Sequence, residues 1–329
     1  MTTEYRPTIA AVPLGVHRPR WSVMIPTYQC ARYLADTLQA VLCQDPGHDA
    51  MQIEVVDDHS TDDPETVTRD VGGGRVGFFR QPANVGHARN FETCLRRSRG
   101  QLVHLLHGDD GVRDGFYATM ERAFRTAPSI GAAFCRQIIT DADGNWVHIS
   151  PLEQDQSGVI EGWLDRIASG QRLQTPAMVV RREVYERLGG FDRRLTWTED
   201  WEMWVRIAMH FPVWYETAPL ALYRVHSQSS SGRQINTAET IRDVRRAIEI
   251  LRAYLPVERA DALARQAIHA TAHAAIRRGR RFAASGVRAA ARAHAYEAVR
   301  TEASPGVIAG AARVMLATLL PTRRPPEAP

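Results

Sequence analysis

Over the first hundred residues, short apolar runs that stop on polar clusters alternate with segments of helical period. "WSVMIPTY" is an apolar run ending at Pro26, which predicts a buried strand and a turn. "ARYLADTLQAVLCQ" then sets Leu34, Leu38, Val41 and Leu42 at helical spacing. "QIEVVDDHSTDD" predicts a strand over Ile53 to Val56, stopping at Asp57 and Asp58, with Ser60 and Thr61 as helix-cap residues. "RVGFFRQ" reads as a third strand, "NVGHARNFETCLRRSRG" as a helix closed by Gly100, and "QLVHLLHGDD" as a fourth strand. Strand and helix alternating at this spacing predict a parallel α/β sheet, in which ligands bind at the carboxyl edge of the strands. The polar clusters around Tyr28, Asp58 and Asp110 all fall at that edge.

The second half changes character. "AAFCRQIITDADGNWVHIS" predicts two strands joined by a turn at Asp143 and Gly144. "TPAMVVRREVYERLGGFDRRL" reads as strand, helix and Gly-Gly loop. "TEDWEMWVRIAMH" is an amphipathic helix opening with Glu199 and Asp200, and "VWYETAPLALYRVHSQSSS" is a strand pair leading to a polar loop. From about residue 236 the chain is rich in Ala and Arg. Ile241, Val244, Ile248, Leu251 and Leu255 form one apolar stripe, and a second helical segment covers roughly 260 to 301. The expected organisation is a flexible extension over 1–19, a core domain over 20–232, a helical appendage without chemistry of its own over 233–303, and an apolar helix with a basic, Pro-rich tail over 304–329.

Composition narrows the class. The 329 residues are 44% hydrophobic and 24% charged, with a net charge of +4, as in an ordinary soluble globular protein. No surface stripe interleaves basic and aromatic residues, which argues against a nucleic-acid partner. Cys30, Cys43, Cys94 and Cys135 form no CxxC pair and read as buried free thiols in a reducing cytoplasm. The first twenty residues lack the apolar core of a signal peptide, and no stretch reaches the ~18 to 20 apolar residues of a membrane span. "GVIAGAARVMLATLL" is too short to span a bilayer; an interfacial helix anchored by Arg323 and Arg324 and a core-packing helix are the two readings it allows.

The chemistry concentrates in "HGDD". Two adjacent carboxylates repel each other and disfavour a strand, but as hard oxygen ligands they suit Mg²⁺ or Mn²⁺. Taken together, "VMIPTYQCARYLADTLQAVLCQ", "EVVDDHSTDD", "NVGHARN", "HGDD" and "TEDWEMWVRI" resemble, in order, the motifs of family-2 glycosyltransferases of the GT-A fold. The resemblance covers about residues 20 to 230. It implies a Rossmann-like mixed α/β sheet and inverting sugar transfer from a nucleoside-diphosphate sugar, UDP-linked in the first instance. Acceptors open to such an enzyme are hydroxyls of a glycan, a lipid-linked sugar or a small molecule.

Residue by residue, the resemblance implies that Pro26, Thr27 and Tyr28 form the loop that holds the base. It makes Asp58 the acceptor for a uracil-type N–H and brings Arg89 to the base or diphosphate. Asp110 is the metal ligand and Asp109 faces the ribose or the metal. Asp200 is the general base, with Glu199 contacting the acceptor or supporting the loop, and His226 in "YRVHSQSSS" approaches the metal or diphosphate. Two positions depart from the pattern: His107 stands where many relatives carry a further Asp, and Gln29 stands where Asn commonly follows the Tyr. His87 reads as structural, and Trp197 and Trp204 as packing residues. A helix N-terminus favours the ionised form of Asp200.

Rival readings are a nucleotidyltransferase, whose Gly-rich basic signature is absent from "PTYQCARY", and a sugar-nucleotide-binding protein without catalysis. "VGGGRVG" lacks the Lys and Ser/Thr of a phosphate loop. His269 and His273 are four apart, but Ala270 stands where a zincin has Glu. The expected location is cytoplasmic, with peripheral contact at the inner face of the membrane through the C-terminal tail as the further possibility.

Overall fold

The structure is a computed structural model that describes residues 4–226 and 235–320. The chain divides into two compact units. One takes in the chain through Leu164 together with Arg172–His226, and the other takes in Asp165–Gln171 and the chain after His226.

The first unit is built on a ten-stranded mixed sheet among the described residues. β1 (Trp21–Thr27), β2 (Met51–Asp57), β3 (Gly77–Arg80) and β4 (Leu102–Leu105) form its parallel half, in the order β3-β2-β1-β4. Every residue of β1, β2 and β4 is buried, as near-continuous apolar runs in a covered parallel sheet require. Between them run α1 (Ala31–Leu42), α2 (Pro64–Gly72) and α3 (His87–Arg97). Asp63 caps α2 by accepting the Thr66 N–H, so the cap lies two residues beyond the Ser60 and Thr61 that the sequence suggested. The helix α3 ends at Arg97, before Gly100. That glycine lies against β1, where a Cβ would stand 2.4 Å from the Trp21 carbonyl carbon.

The other half of the sheet mixes directions. After β5 (Gly111–Val112) and α4 (Phe116–Thr126) come β6 (Ala132–Thr140), β7 (Trp146–Ile149) and β8 (Gly158–Val159), then α5 (Trp163–Ala168). β9 (Met178–Arg181) lies antiparallel between β4 and β6, and α6 (Arg182–Leu188) and α7 (Glu199–His210) follow. The expected strand pair at Val213 is one strand, β10 (Val213–Arg224), parallel to β6 with register irregularities between Glu216 and Ala221. Pro219 has no N–H for the ladder, which is consistent with the break falling there.

The N-terminal extension is anchored rather than loose. Ile9 is buried, the Arg6 guanidinium pairs with Asp192 and Glu202, and the Pro7 carbonyl accepts the Gly190 N–H. Of the cysteines, Cys30, Cys94 and Cys135 are buried, but Cys43 is exposed.

The second unit is helical: α8 (Glu239–Arg252), α9 (Val257–Ala284), α10 (Arg288–Thr301) and α11 (Pro305–Ala317). The expected segment over 260–301 is two helices, broken at Gly286 with φ +77. Their core is largely alanine (Ala272, Ala275, Ala291, Ala295, Ala298, Ala311), whose small side chains let helices approach closely. α11 buries Val307, Gly310, Ala311 and Val314 against this core, so it joins the appendage rather than forming a separate segment. Its opposite face exposes Ile308, Met315 and Leu316, continued by Leu319 and Leu320. Among the described residues, no helix is long and apolar enough to cross a membrane. The loop after His226 and the tail with Arg323 and Arg324 lie outside the described residues.

Candidate active site

The site assembles where β1, β2 and β4 end. β1 hands over at Thr27 to Tyr28, a residue 39% exposed whose ring can offer a face for stacking. Gln29 follows with φ +52, in the left-handed region. Its amide N–H donates to Ser60 Oγ at 3.0 Å and its side chain to Thr61 Oγ1 at 3.0 Å, tying this loop to the one after β2.

At the end of β2 the two aspartates separate in role. Asp57 is fully buried and accepts the Ser60 N–H with both oxygens, so it shapes its own loop. Asp58 reaches the loop before α3, accepting the Val85 N–H at 2.7 Å and the Gly86 N–H at 3.0 Å. A carboxylate has about four lone-pair sites, so two remain for a ligand. Burial raises the Asp58 pKa, and the two amide bonds offset part of that rise. The first turn of α3 carries Arg89, whose side chain is exposed, and Asn90, which is buried and donates to the Val56 carbonyl at 2.9 Å.

The turn after β4 presents His107, Asp109 and Asp110, whose ligand atoms lie within 4.8 Å of one another. Gly108 makes the turn possible, because a Cβ there would stand 2.7 Å from Thr27 Oγ1. Each acid is held from behind. Asp110 Oδ1 accepts the Arg224 N–H at 2.9 Å, Asp110 Oδ2 faces His107 Nδ1 at 3.1 Å, and Asp109 Oδ2 faces His226 Nε2 at 2.9 Å. Burial lifts the Asp110 carboxyl to about 6, with the Asp109 charge adding to it. Burial pushes Asp109 the same way, but the His226 hydrogen bond and the His107 charge outweigh it and hold Asp109 below its usual value. His107 Nε2 is buried without a hydrogen-bond partner among the described residues. Two carboxylates and an orphaned imidazole nitrogen are a donor set that fits a divalent cation.

The first turn of α7 closes the site. Glu199 and Asp200 are both buried. Asp200 Oδ1 accepts the Trp201 N–H at 2.6 Å, and Thr175 Oγ1 lies 3.4 Å from Oδ2. The helix terminus was expected to favour ionisation, but burial dominates, and with the Glu199 charge it lifts Asp200 to about 7. Glu199 Oε1 is in close contact with His87 Nδ1, while its Oε2 is buried and lacks a partner among the described residues. The His87 and His107 rings lie 5.3 Å apart, and Phe91 stacks on His107. His87 thus belongs to the site rather than to structure alone. Trp204 is core, edge-on to Phe191.

Three further residues here were given no chemical role by the sequence: His87, Thr175 and Arg224. Arg224 grips the aspartate turn twice, through its N–H to Asp110 and its Nε to the Asp109 carbonyl at 3.0 Å. Its place in "YRVH", two residues before His226, is the one signal that pointed to it. The arrangement holds an exposed ring, a cluster of hard ligands and a buried acid poised near neutrality, all at one sheet edge.

The profile of glycosyl transferase family 2 matches residues 22–189. Glu199 and Asp200 lie just beyond that stretch. An uncharacterised protein of Mycobacterium tuberculosis is 25% identical over 73% of this chain and 77% of its own. An uncharacterised glycosyltransferase of Rickettsia typhi is 22% identical over 68% and 70%. Among solved structures, residues 1–349 of Staphylococcus aureus TarS with UDP-GlcNAc superpose with a TM-score of 0.63 at 15% identity, covering 91% of this chain and 89% of that one. A longer TarS chain is matched over 53% of its length. A Pyrobaculum calidifontis mannosyltransferase with GDP-Man and Mn²⁺ gives 0.57 at 18% identity over 94% and 83%.

Proposed function

The chain belongs to glycosyl transferase family 2 and is a glycosyltransferase of the GT-A fold, and from that premise we propose that it moves a sugar from a UDP-linked donor to an acceptor hydroxyl with inversion. The observation that carries the reading is the buried Asp200, lifted to about 7, at the same sheet edge as the His107–Asp109–Asp110 cluster. The solved relatives bound to UDP-GlcNAc, and to GDP-Man with Mn²⁺, support a nucleotide-sugar donor and a divalent ion.

In this mechanism Tyr28 stacks on the base beside Pro26 and Thr27, Asp58 accepts a base N–H, and Arg89 reaches towards the diphosphate. Asp110 and Asp109 would hold Mn²⁺ or Mg²⁺, and His226 fixes the Asp109 carboxylate. When bound, the ion supplies positive charge against the diphosphate leaving group. Asp200 takes the proton from the acceptor hydroxyl as that oxygen bonds to the anomeric carbon. The bond from that carbon to the diphosphate oxygen breaks, and UDP leaves. Glu199, held by His87, supports this corner of the site.

The deciding assay follows product release from nucleotide sugars with Mn²⁺, with and without EDTA. UDP set free only with the metal supports the proposal. Pyrophosphate released from UTP and a sugar 1-phosphate, with no UDP set free from nucleotide sugars, identifies a nucleotidyltransferase, and donor binding without turnover on any acceptor identifies a binding protein.

A lipid-surface contact at the cytoplasmic face is a second element of the reading. It rests on the exposed Ile308, Met315 and Leu316 of the last described helix and on Leu319 just beyond it. Sedimentation with anionic vesicles should carry the chain down, and Leu316→Glu should leave it in the supernatant.

A further inference from the structure

His269 and His273 lie one turn apart on α9, with ring centroids 4.3 Å apart. Glu302, which follows the last residue of α10, turns both carboxylate oxygens towards His269 Nδ1, at 3.0 and 3.2 Å. One ligand atom from each of the three residues lies within 4.8 Å of the other two. None of the three has a part in sugar transfer.

A surface ion pair would account for one imidazole only, and such pairs contribute little to stability. Here a second imidazole is packed on the first, beside the same carboxylate. Two neutral imidazoles and one carboxylate are instead the donor set that Zn²⁺ prefers over the harder cations of the transfer site. We propose that His269, His273 and Glu302 bind a Zn²⁺ ion, with solvent in the fourth position.

The geometry needs little change. Tetrahedral zinc, with bonds of about 2.0–2.2 Å, sets its ligand atoms roughly 3.4 Å apart. His269 and Glu302 open by a few tenths of an ångström, and no pair has to close by more than about 1.4 Å, which staggered rotamers of one exposed and two half-buried side chains can supply. Ala270 stands where the metalloprotease motif has its Glu, so no general base accompanies the ion. Its role is a clip that fastens the end of α10 to the middle of α9, two helices whose shared core is built of small alanine contacts.

The test is calorimetric titration of ZnCl₂ into the EDTA-treated full chain, alongside visible spectra after Co²⁺ addition. Wild type should bind one ion that His273→Ala and Glu302→Gln each weaken at least tenfold, with the four-coordinate cobalt bands lost. Asp110→Asn should leave this ion in place, which separates it from any zinc held at the transfer site. The far-ultraviolet dichroism of each variant checks that the substitutions at these half-buried positions leave the helices intact. Zinc isotherms and cobalt spectra unchanged in His273→Ala, or a wild type that takes up no zinc, would overturn the proposal.

Discussion

At the scale of single residues, environment decides what a carboxylate does. Asp57 and Asp58 are neighbours, yet one closes its own turn and the other spans to the loop before α3. Asp200 carries the sharpest consequence. Because its carboxyl titrates at about 7, the acid limb of a turnover profile should lie near neutrality, with activity rising as pH rises through it. Asp200→Asn should lower kcat by about 10²- to 10⁴-fold and leave UDP binding intact. The same shift bears on stability. A raised folded pKa favours the fold below the unfolded value near 4, and that advantage is lost as pH climbs to 7. Asp200→Asn should therefore raise the melting temperature more at pH 8 than at pH 4, which a pair of thermal scans would check. Gln29 is a smaller test. Its φ of +52 is a conformation that Asn tolerates better, so Gln29→Asn should stabilise the chain by roughly 0.5–1 kcal/mol in urea titration.

At the scale of elements, periodicity carried most of the information. The strands β1 to β4 and the helices between them are legible because each is a short, mostly apolar run or a clean helical stripe. The elements that misled are those whose boundaries depend on partners elsewhere. Asp63 caps α2 from a positive φ that no local pattern announces, and β10 stays one strand across Pro219 because β6 supports it. Gly100 closes no helix and is needed instead for contact with β1. Gly100→Ala would drive a methyl into the Trp21 backbone and should cost on the order of 1–3 kcal/mol, read as a lower urea midpoint at unchanged slope.

At the scale of the molecule, two units carry separate cores, one organised by a mixed sheet and one by alanine-rich helices. Unfolding of such a chain should show more than one transition by calorimetry. UDP with Mn²⁺ should raise only the transition of the sheet unit, since ligand stabilises what binds it. A uniform rise across all transitions would mean that the helical unit takes part in donor binding. The Tyr28, Asp58, Asp110 and Asp200 segments are far apart in sequence, yet their family order marked them as one candidate site before any contact was known. His87, Thr175 and Arg224 were not readable, because nothing local marks a residue whose task is to touch another's side chain.

The sequence by itself determined the alternation of apolar runs and helical stripes, the acids at the strand ends and hence the sheet edge where chemistry gathers. Those features follow from local periodicity and residue type, which need no tertiary partner. Tertiary structure alone decided the antiparallel insertion of β9, the anchoring of the N-terminal segment, and which hydrogen bonds hold each acid. It also set the ionisation of Asp200, since the helix end and the burial act on that carboxyl in opposite directions. Only the packed environment fixes how much water the charge loses, and that loss prevails.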